Sequence, residues 1–371
     1  MEPIEESKDT KKSGKGNSEK RKLEANKELE RERTKNLQNS DMPKTDKGET
    51  HIESSKGVYE IKDQLGQGSF GAVFMVKRES DRKHFAMKCE SIHVKKQILA
   101  HEARVLIALN MLNSVHFAEL VDLGKLKNRF AFIVLKLVGM NLWDIRIRLP
   151  NRKYTLNTAL KIGEQTLEGI RDLHRVGFLH RDIKPPNFAI GREEDSTHHI
   201  IYVLDFGLSR KICSKGVDLR SPRTTCAFRG TTRYAALAAH DMREQSRKDD
   251  IESWWYMFAE GIVSDLPWKT FKGTDRDGVK AEKKKLRDDK NAMKNLFTNF
   301  GCYDQMSAIL TYLDSLSYQN IPDYDYVYNQ IISAAQANGC SDNKSVDWDK
   351  SVDYKGPKYK TGEAYIVKQL Q

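Results

Sequence analysis

Apolar and polar residues alternate in short bursts from Val58 onward. The stretches VYEIKDQLG, GAVFMVKRE and HFAMKCE are separated by glycine or charged residues, a pattern typical of antiparallel strands. A helical repeat follows in KKQILAHEARVLIALNML, and two more strand-like stretches, ELVDLGKL and FAFIVLKLV, come after it. The first part of the folded region is therefore predicted to be a β-sheet with one main helix.

The pattern becomes helical beyond Gly139. The stretch TLNTALKIGEQTLEGIRDLHRVG places four apolar residues on one helical face, with Gly177 as the expected stop; these residues are Leu160, Leu167, Ile170 and Leu173. A β-rich part thus precedes an α-rich part, with a hinge expected near Lys136 to Gly139. This order predicts an α+β fold with two lobes.

The first 57 residues differ in composition from the rest. They are rich in Lys, Glu, Ser, Asn and Gly and contain no Phe, Trp or Tyr, which is typical of a disordered segment. A charged tail is expected there, and a partner-binding helix in SEKRKLEANKELERERTKN is the weaker alternative because few apolar residues could form a face. The predicted organisation is a tail over 1–57, lobes over 58–139 and 140–350, and a short basic tail over 351–371.

Charge and cysteine content limit the possible classes of protein. The 57-residue tail carries 14 Lys and Arg against 13 Asp and Glu, so +10 of the net +11 lies beyond it. A pI near 9.2 would suit a nucleic-acid or membrane-surface binder, but basic residues are mixed with acidic ones and no nucleic-acid module is recognisable. The five cysteines are widely scattered, which favours reduced thiols.

Long apolar segments are also missing from the sequence. No run of about 18 apolar residues occurs, and MEPIEESKDTKKSGKGNSEK has no apolar signal core. We expect a cytoplasmic protein, with the nucleus as an alternative, that binds neither nucleic acid nor membrane. The adjacent His198 and His199 in GREEDSTHHI are expected to be exposed loop residues.

Two acidic residues follow the long predicted helix, in HRDIKPPNFAIG and VLDFGLSR. Asp182 could accept a proton from an incoming hydroxyl, and Lys184 could reach a transferring phosphate. Asn187 and Asp205 offer the hard oxygen ligands that Mg²⁺ prefers beside nucleotide phosphates. One carboxylate is therefore predicted to do acid-base work and the other to hold metal.

Phosphoryl transfer also needs a cradle for the nucleotide. The stretch LGQGSFGAV supplies Gly66, Gly68 and Gly71 between two strand-like stretches. A dinucleotide site would require a helix directly after these glycines, so the strands favour a cover over phosphates. Lys88 on the next strand and Glu102 in the helical stretch could form an ion pair that orients the lysine.

In this order these residues resemble the signature set of protein kinases. The set comprises Gly66, Gly68, Gly71, Lys88, Glu102, His180-Arg181-Asp182, Asn187 and Asp205-Phe206-Gly207. The resemblance implies a two-lobed kinase fold, ATP and Mg²⁺ as cofactors, and protein substrates. Lys184 is the residue type that serine/threonine kinases place two after the catalytic aspartate, which implies Ser or Thr acceptors.

The segment FRGTTRYAALAAHDMREQSRKDDIESWWYM replaces the usual A-P-E segment and is similar to the casein kinase I group. The stretches NFAIGR, LPWK and IPDYDYVY support this, and the chain looks most like a divergent, nematode-type member of the tau-tubulin kinase branch. The resemblance implies that Arg233 and Lys272 read phosphate or acidic residues on a substrate. It implies an active monomeric kinase.

The family's other roles carry over to matching positions. Asp250 would support the catalytic loop, and Leu135 would be the gatekeeper beside the hinge. Seven positions would form the ATP site in addition to the glycines: Leu65, Val73, Ala86, Lys88, Glu102, Leu135 and Leu137.

Two residues depart from the group's pattern. Ala238 replaces an asparagine, which removes a local hydrogen-bond anchor, and Pro186 removes a backbone donor from the catalytic loop. These departures leave open an alternative function, that of a weak or inactive kinase-fold scaffold. The residues that hold metal in active kinases are nevertheless present.

Overall fold

A computed structural model describes residues 41–43, 51–68, 71–212, 219–341 and 343–363. The chain divides into two compact units. The first comprises Met1–Leu99 and Asp122–Val134, and the second comprises Ala100–Val121 and Leu135–Gln371. Among the helices of the described residues, none combines the length and the apolar character that a membrane span requires.

The first unit is built on a six-stranded sheet in the order β1-β2-β3-β4-β6-β5. The alternation of apolar and polar residues explains these strands. On β3, for example, Ala72, Phe74 and Val76 are buried while their neighbours are partly exposed. The predicted strands are thereby confirmed. The strands are β1 His51–Ser54, β2 Gly57–Gln67, β3 Gly71–Arg78, β4 His84–Ser91, β5 Leu120–Leu126 and β6 Phe130–Lys136.

Ordered structure begins earlier than the predicted boundary at Val58. Strand β1 pairs with β2 in antiparallel register, and its Ile52 is 3% exposed. Asp41 is also buried, and its Oδ2 contacts Ser91 and His93. Composition could not reveal this structure, because β1 is only four residues long and Asp41 finds its partners 50 and 52 residues along the chain. The remainder of the predicted tail, residues 1–40 and 44–50, lies outside the described residues.

The second unit is mainly helical. Thr155 caps the N-terminus of the central helix, α3, by accepting a hydrogen bond from the Thr158 N–H. The predicted apolar face is buried, and Gly177, with φ 80°, follows the helix end. The helices are α1 Leu99–Asn110, α2 Leu142–Arg148, α3 Leu156–Arg175, α4 Leu237–His240, α5 Arg247–Val263, α6 Arg276–Asp288, α7 Lys290–Leu296, α8 Tyr303–Ser315 and α9 Tyr324–Ala337.

Two short antiparallel strand pairs complete the second unit. Strand β7 (Phe178–Leu179) pairs with β10 (Arg210–Lys211), and β8 (Phe188–Ile190) pairs with β9 (Ile201–Val203). The segment Ala100–Val121 belongs to this unit rather than to the predicted first lobe. His116 explains why, since its Nδ1 lies 2.8 Å from the Ile201 carbonyl oxygen and its own carbonyl accepts from Val203 N.

Residues 343–363 pack against the second unit instead of forming a free tail from 351. Tyr354 and Tyr359 are 9% and 6% exposed. The Tyr359 ring stacks on Tyr328 with centroids 4.2 Å apart, and its hydroxyl donates to Asp325. Arg171 of α3 lies over the same ring. Residues 364–371, also part of the predicted tail, lie outside the described residues.

His199 is buried rather than exposed, and it binds this C-terminal segment. Lys355 N–H donates to His199 Nδ1, so the ring proton lies on Nε2 and is donated to Asp349 at 3.1 Å. His198 Nε2 contacts the same carboxylate oxygen. A metal ion would need the Nε2 lone pair that this tautomer lacks, so the cluster is a hydrogen-bonded clamp.

The α+β prediction is confirmed, since a β-rich N-terminal sheet precedes a helical region. The change between the units falls after Val134, close to the hinge predicted near Lys136 to Gly139.

Candidate active site

Asp182 lies on the loop after β7 and is 7% exposed. Its Oδ2 accepts a hydrogen bond from Lys184 Nζ at 2.6 Å. Its Oδ1 accepts one from the Thr231 hydroxyl at 2.8 Å. A cation and a neutral donor therefore hold the two oxygens in fixed directions, as a proton acceptor for a bound hydroxyl requires.

Asp250, in the first turn of α5, fixes the backbone of this loop. Its carboxylate accepts from the His180 N–H at 2.6 Å and from the Arg181 N–H at 2.8 Å. His174 Nε2 lies 3.0 Å from it. Burial alone would raise the pKa of Asp250, but these hydrogen bonds and the facing histidines hold it below the usual value. The group is therefore a buried anion, which the loop's amides need as an acceptor.

Asn187 and Asp205 lie at the same end of the β8–β9 pair. Asn187 directly precedes β8, Asp205 follows β9, and Leu204 N–H donates to the Asn187 carbonyl. The Asn187 amide nitrogen donates to the Asp182 carbonyl at 2.8 Å, so its side-chain oxygen is the atom suited to a cation. Asp205 is exposed, with φ 60°. These oxygen donors fit a hard cation such as Mg²⁺.

The glycine-rich strands lie in the first unit. Gly66 pairs with Val73, and Val73 pairs with Lys88 on β4. Gly71 cannot be replaced, because a Cβ there would lie 1.8 Å from the Cys89 carbonyl oxygen. Gly68 N–H donates to the Gly71 carbonyl, and Ser69 and Phe70 lie outside the described residues.

The other predicted ATP contacts are divided between the units. Leu65 is 50% exposed on β2 and Ala86 is partly buried on β4, both in the first unit. Glu102 is 2% exposed in α1, and Leu137 is 8% exposed just after β6, both in the second. Leu135, on β6, also belongs to the second unit. The predicted Lys88–Glu102 ion pair therefore stays a prediction.

A cavity of about 710 Å³ opens beside the catalytic loop in the second unit. The activation segment, defined as residues 205–236, forms much of its wall. Aromatic residues line it together with Thr231 and Thr232. Its charged lining residues are all basic: Lys184, Arg229, Arg233, Lys272 and Arg276. A peptide bound in this cavity would contact basic side chains next to Asp182.

Arg233 and Lys272, predicted to read anions, both line this cavity but differ in their surroundings. Arg233 Nη1 lies 2.7 Å from Glu260 Oε1, and its Nη2 donates to the Lys269 carbonyl. Burial lowers the pKa of Arg233, and Glu260 more than offsets this. Its charge is therefore already balanced, whereas Lys272 makes no ion pair within the described ranges.

Lys283 and Glu252 anchor the activation segment from inside the helical unit. The Lys283 side chain is fully buried, and its Nζ donates to the carbonyls of Thr232 at 3.0 Å and Ala235 at 2.6 Å. Glu252 accepts from the Leu237 N–H. These bonds supply the rigidity that Ala238 was expected to remove.

Pro186 lies in a one-turn 3-10 helix over Pro185–Asn187. A backbone N–H in the first turn has no partner within the helix, so proline loses no bond there. The departure therefore stiffens the loop without a hydrogen-bonding cost.

Sequence reasoning missed the roles of several residues at this site. Thr231 was visible only as one of four threonines in the activation segment, and its neighbour Gly230 could have identified it. Gly230 has φ 99°, and a Cβ there would lie 2.8 Å from the Arg181 carbonyl. No local signal pointed to Lys283, since it stands in a run of lysines.

The geometry agrees with comparisons to known proteins. A family model described as "Protein kinase domain" matches residues 59–312. The chain belongs to the protein kinase family. The kinase is 34% identical to the Caenorhabditis elegans serine/threonine-protein kinase spe-6 over 298 residues, which is 80% of this chain and 76% of that protein. A second C. elegans protein named as such a kinase is 34% identical over 273 residues, 70% and 76% of the two chains.

A Dictyostelium discoideum protein named as a serine/threonine-protein kinase is 32% identical over 294 residues. The match covers 79% of this kinase and 57% of that relative. The chain thus spans little more than half the length of this relative.

Proposed function

We propose that this kinase transfers the γ-phosphate of ATP to Ser and Thr hydroxyls of protein substrates. The proposal rests chiefly on Asp182, whose two oxygens are held by Lys184 and Thr231 beside a cavity that could receive a peptide. The family membership and the names of the relatives support it. We propose further that it belongs to the casein kinase I group, in the tau-tubulin kinase-like branch, on the sequence stretches that resemble that group.

In the proposed reaction the substrate hydroxyl oxygen forms a bond to the γ-phosphorus. The bond from that phosphorus to the bridging oxygen breaks, ADP leaves, and the hydroxyl proton passes to Asp182. Lys184 Nζ, next to Asp182, would stabilise charge on the transferring group. A Mg²⁺ ion held by Asn187 and Asp205 would neutralise phosphate charge. Lys88 would hold the α- and β-phosphates, as the kinase resemblance implies.

Substrates with acidic or phosphorylated residues near the acceptor fit the cavity best. Its lining carries five basic side chains and no acidic one. Opposite charges across an interface favour the matching partner and speed its arrival. This is the basis for the proposed substrate preference.

The test is phosphate transfer from labelled ATP to an acidic Ser/Thr peptide by wild type and Asp182→Asn. We expect the variant to lose several orders of magnitude in kcat while it still binds Mg-ATP, because only the proton acceptor changes. Glu193→Gln, an exposed charge change outside the catalytic loop and the cavity lining, is the matched control. Equal turnover by both proteins would refute the role of Asp182. ATP binding without transfer by the wild type would favour the scaffold alternative.

A further inference from the structure

Glu244 lies in a cluster of arginines next to the catalytic loop. Its side chain is 2% exposed. Arg210 Nη2 lies 3.3 Å from Glu244 Oε2, and Arg223 Nη2 lies 3.2 Å from Oε1. Arg223 Nε contacts the other oxygen as well, so this pair is bidentate.

The two arginines belong to distant parts of the activation segment. Arg210 begins β10, where it pairs with Leu179, the residue directly before His180 of the catalytic loop. Arg223 stands just past the middle of the segment, close to Cys226, whose N–H donates to the Met242 carbonyl at 2.9 Å. Glu244 therefore joins both parts of the segment to the connection between α4 and α5.

A third arginine adds to the positive charge. Arg181, the neighbour of Asp182, donates from Nε to the Leu208 carbonyl at 2.9 Å. The pKa of Arg181 is lowered to about 10, chiefly by burial and also by Arg210 and Arg223, while Asp250 and Glu244 oppose this shift. Two guanidinium groups thus bind one buried carboxylate, and the charge of that carboxylate also acts on Arg181.

Such arginine clusters next to an activation segment are suited to an oxyanion. In many kinases a phosphorylated residue of the segment supplies the anion, and new arginine–phosphate pairs order the segment. Here the chain itself supplies a carboxylate from outside the segment.

We propose that Glu244 is a positioning residue that takes the place of an activation-segment phosphate. The segment is thereby held for substrate without prior phosphorylation. Thr231, which bonds Asp182, lies downstream of Arg223 in this segment, as do the cavity-lining residues Phe228 to Tyr234. The expected effect on the rate of phosphate transfer rests on the proposed kinase function. The order of the activation segment can be measured separately.

The experiment compares phosphatase-treated wild type, Glu244→Ala and Glu244→Gln, with Glu193→Gln as the matched charge-loss control. Hydrogen exchange of residues 219–236 measures segment order, and transfer to an acidic peptide gives kcat and KM. Each protein is studied in millimolar sulfate and in chloride of the same ionic strength. Sulfate is the probe because it offers the oxygens of a phosphate group.

We expect the wild type to be fully active without phosphate. Glu244→Ala should exchange faster at the Cys226 amide and transfer about tenfold more slowly, because the arginines lose their buried partner. Sulfate should restore both properties in Glu244→Ala, but not in Glu244→Ala combined with Arg223→Ala. A purely structural role would not give this rescue by an anion.

Three results would overturn the proposal: loss of wild-type activity on phosphatase treatment, unchanged exchange in Glu244→Ala, or no effect of sulfate on that variant. If the wild type transfers no phosphate but the exchange and sulfate effects appear, the proposed function fails and the positioning role stands.

Discussion

The Thr231 hydroxyl donates a hydrogen bond to Asp182 Oδ1 over 2.8 Å, while Lys184 holds Oδ2. The activation segment and the catalytic loop are therefore joined at the carboxylate proposed to receive the substrate proton. Thr231→Val keeps the shape of the side chain and removes the donor. We expect kcat to fall about tenfold, since one hydrogen bond to a charged group is worth roughly 1.5 kcal/mol.

Thr231→Ser retains the hydroxyl and should keep most of the activity in the same steady-state assay. Comparable kcat values for Thr231→Val and wild type would show that the bond does not contribute to turnover.

Lys272 should affect substrate choice more than Arg233 does. Lys272→Gln is expected to raise KM for an acidic peptide about fivefold and to leave a neutral peptide unchanged, because one exposed charge contributes up to about 1 kcal/mol. Arg233→Gln should instead lower the unfolding temperature, because Glu260 loses a partner. Lys269→Gln, whose ion pair with Asp265 is exposed, is the matched control. Equal KM changes on both peptides would count against an anion-reading role for Lys272.

His240 should make stability depend on pH. Burial and the neighbouring Lys283 lower its pKa from 6.5 to about 4. The unfolded chain then binds the proton more readily, so stability is complete above about pH 6.5 and declines as the pH falls below it. We expect a loss of about 1 kcal/mol between about pH 7 and about pH 5, after allowance for partial exposure.

Urea unfolding at the two pH values measures this loss, and His240→Gln should reduce the slope. A slope unchanged by that substitution would assign the dependence to other groups, such as His174, whose pKa is also lowered by burial.

Tyr359 should contribute to the stability of the second unit although it lies in a basic, polar segment. Tyr359→Ala removes the stack on Tyr328 and the surface under Arg171, and should cost about 3 kcal/mol of unfolding free energy. Tyr359→Phe loses only the bond to Asp325 and should cost about 1 kcal/mol. Unfolding curves that coincide for all three proteins would show that residues 343–363 do not pack in solution.

The sequence could predict those features that depend on the pattern of neighbouring residues. Alternation identified β2 to β6, the helical repeat identified α3, and the motifs around Asp182, Asn187 and Asp205 selected these residues for the candidate site. The rest depends on long-range pairing between polar residues. Tyr359 and Glu244 find their partners far along the chain, and Ser54 of β1 likewise bonds Asp122 on β5. The composition around these residues resembles that of solvated segments.

Residues 343–363 also bear on how this chain folds as it is synthesised. Two side chains of helix α3, at the centre of the second unit, bind this segment in addition to partners within the helix: Tyr359 N–H donates to Glu164, and Arg171 donates to the Lys360 carbonyl. Domains generally fold as units during synthesis. The helical unit cannot be completed on the ribosome until these late residues have emerged, so a stalled chain that ends before them would present an unfinished kinase to chaperones and proteases.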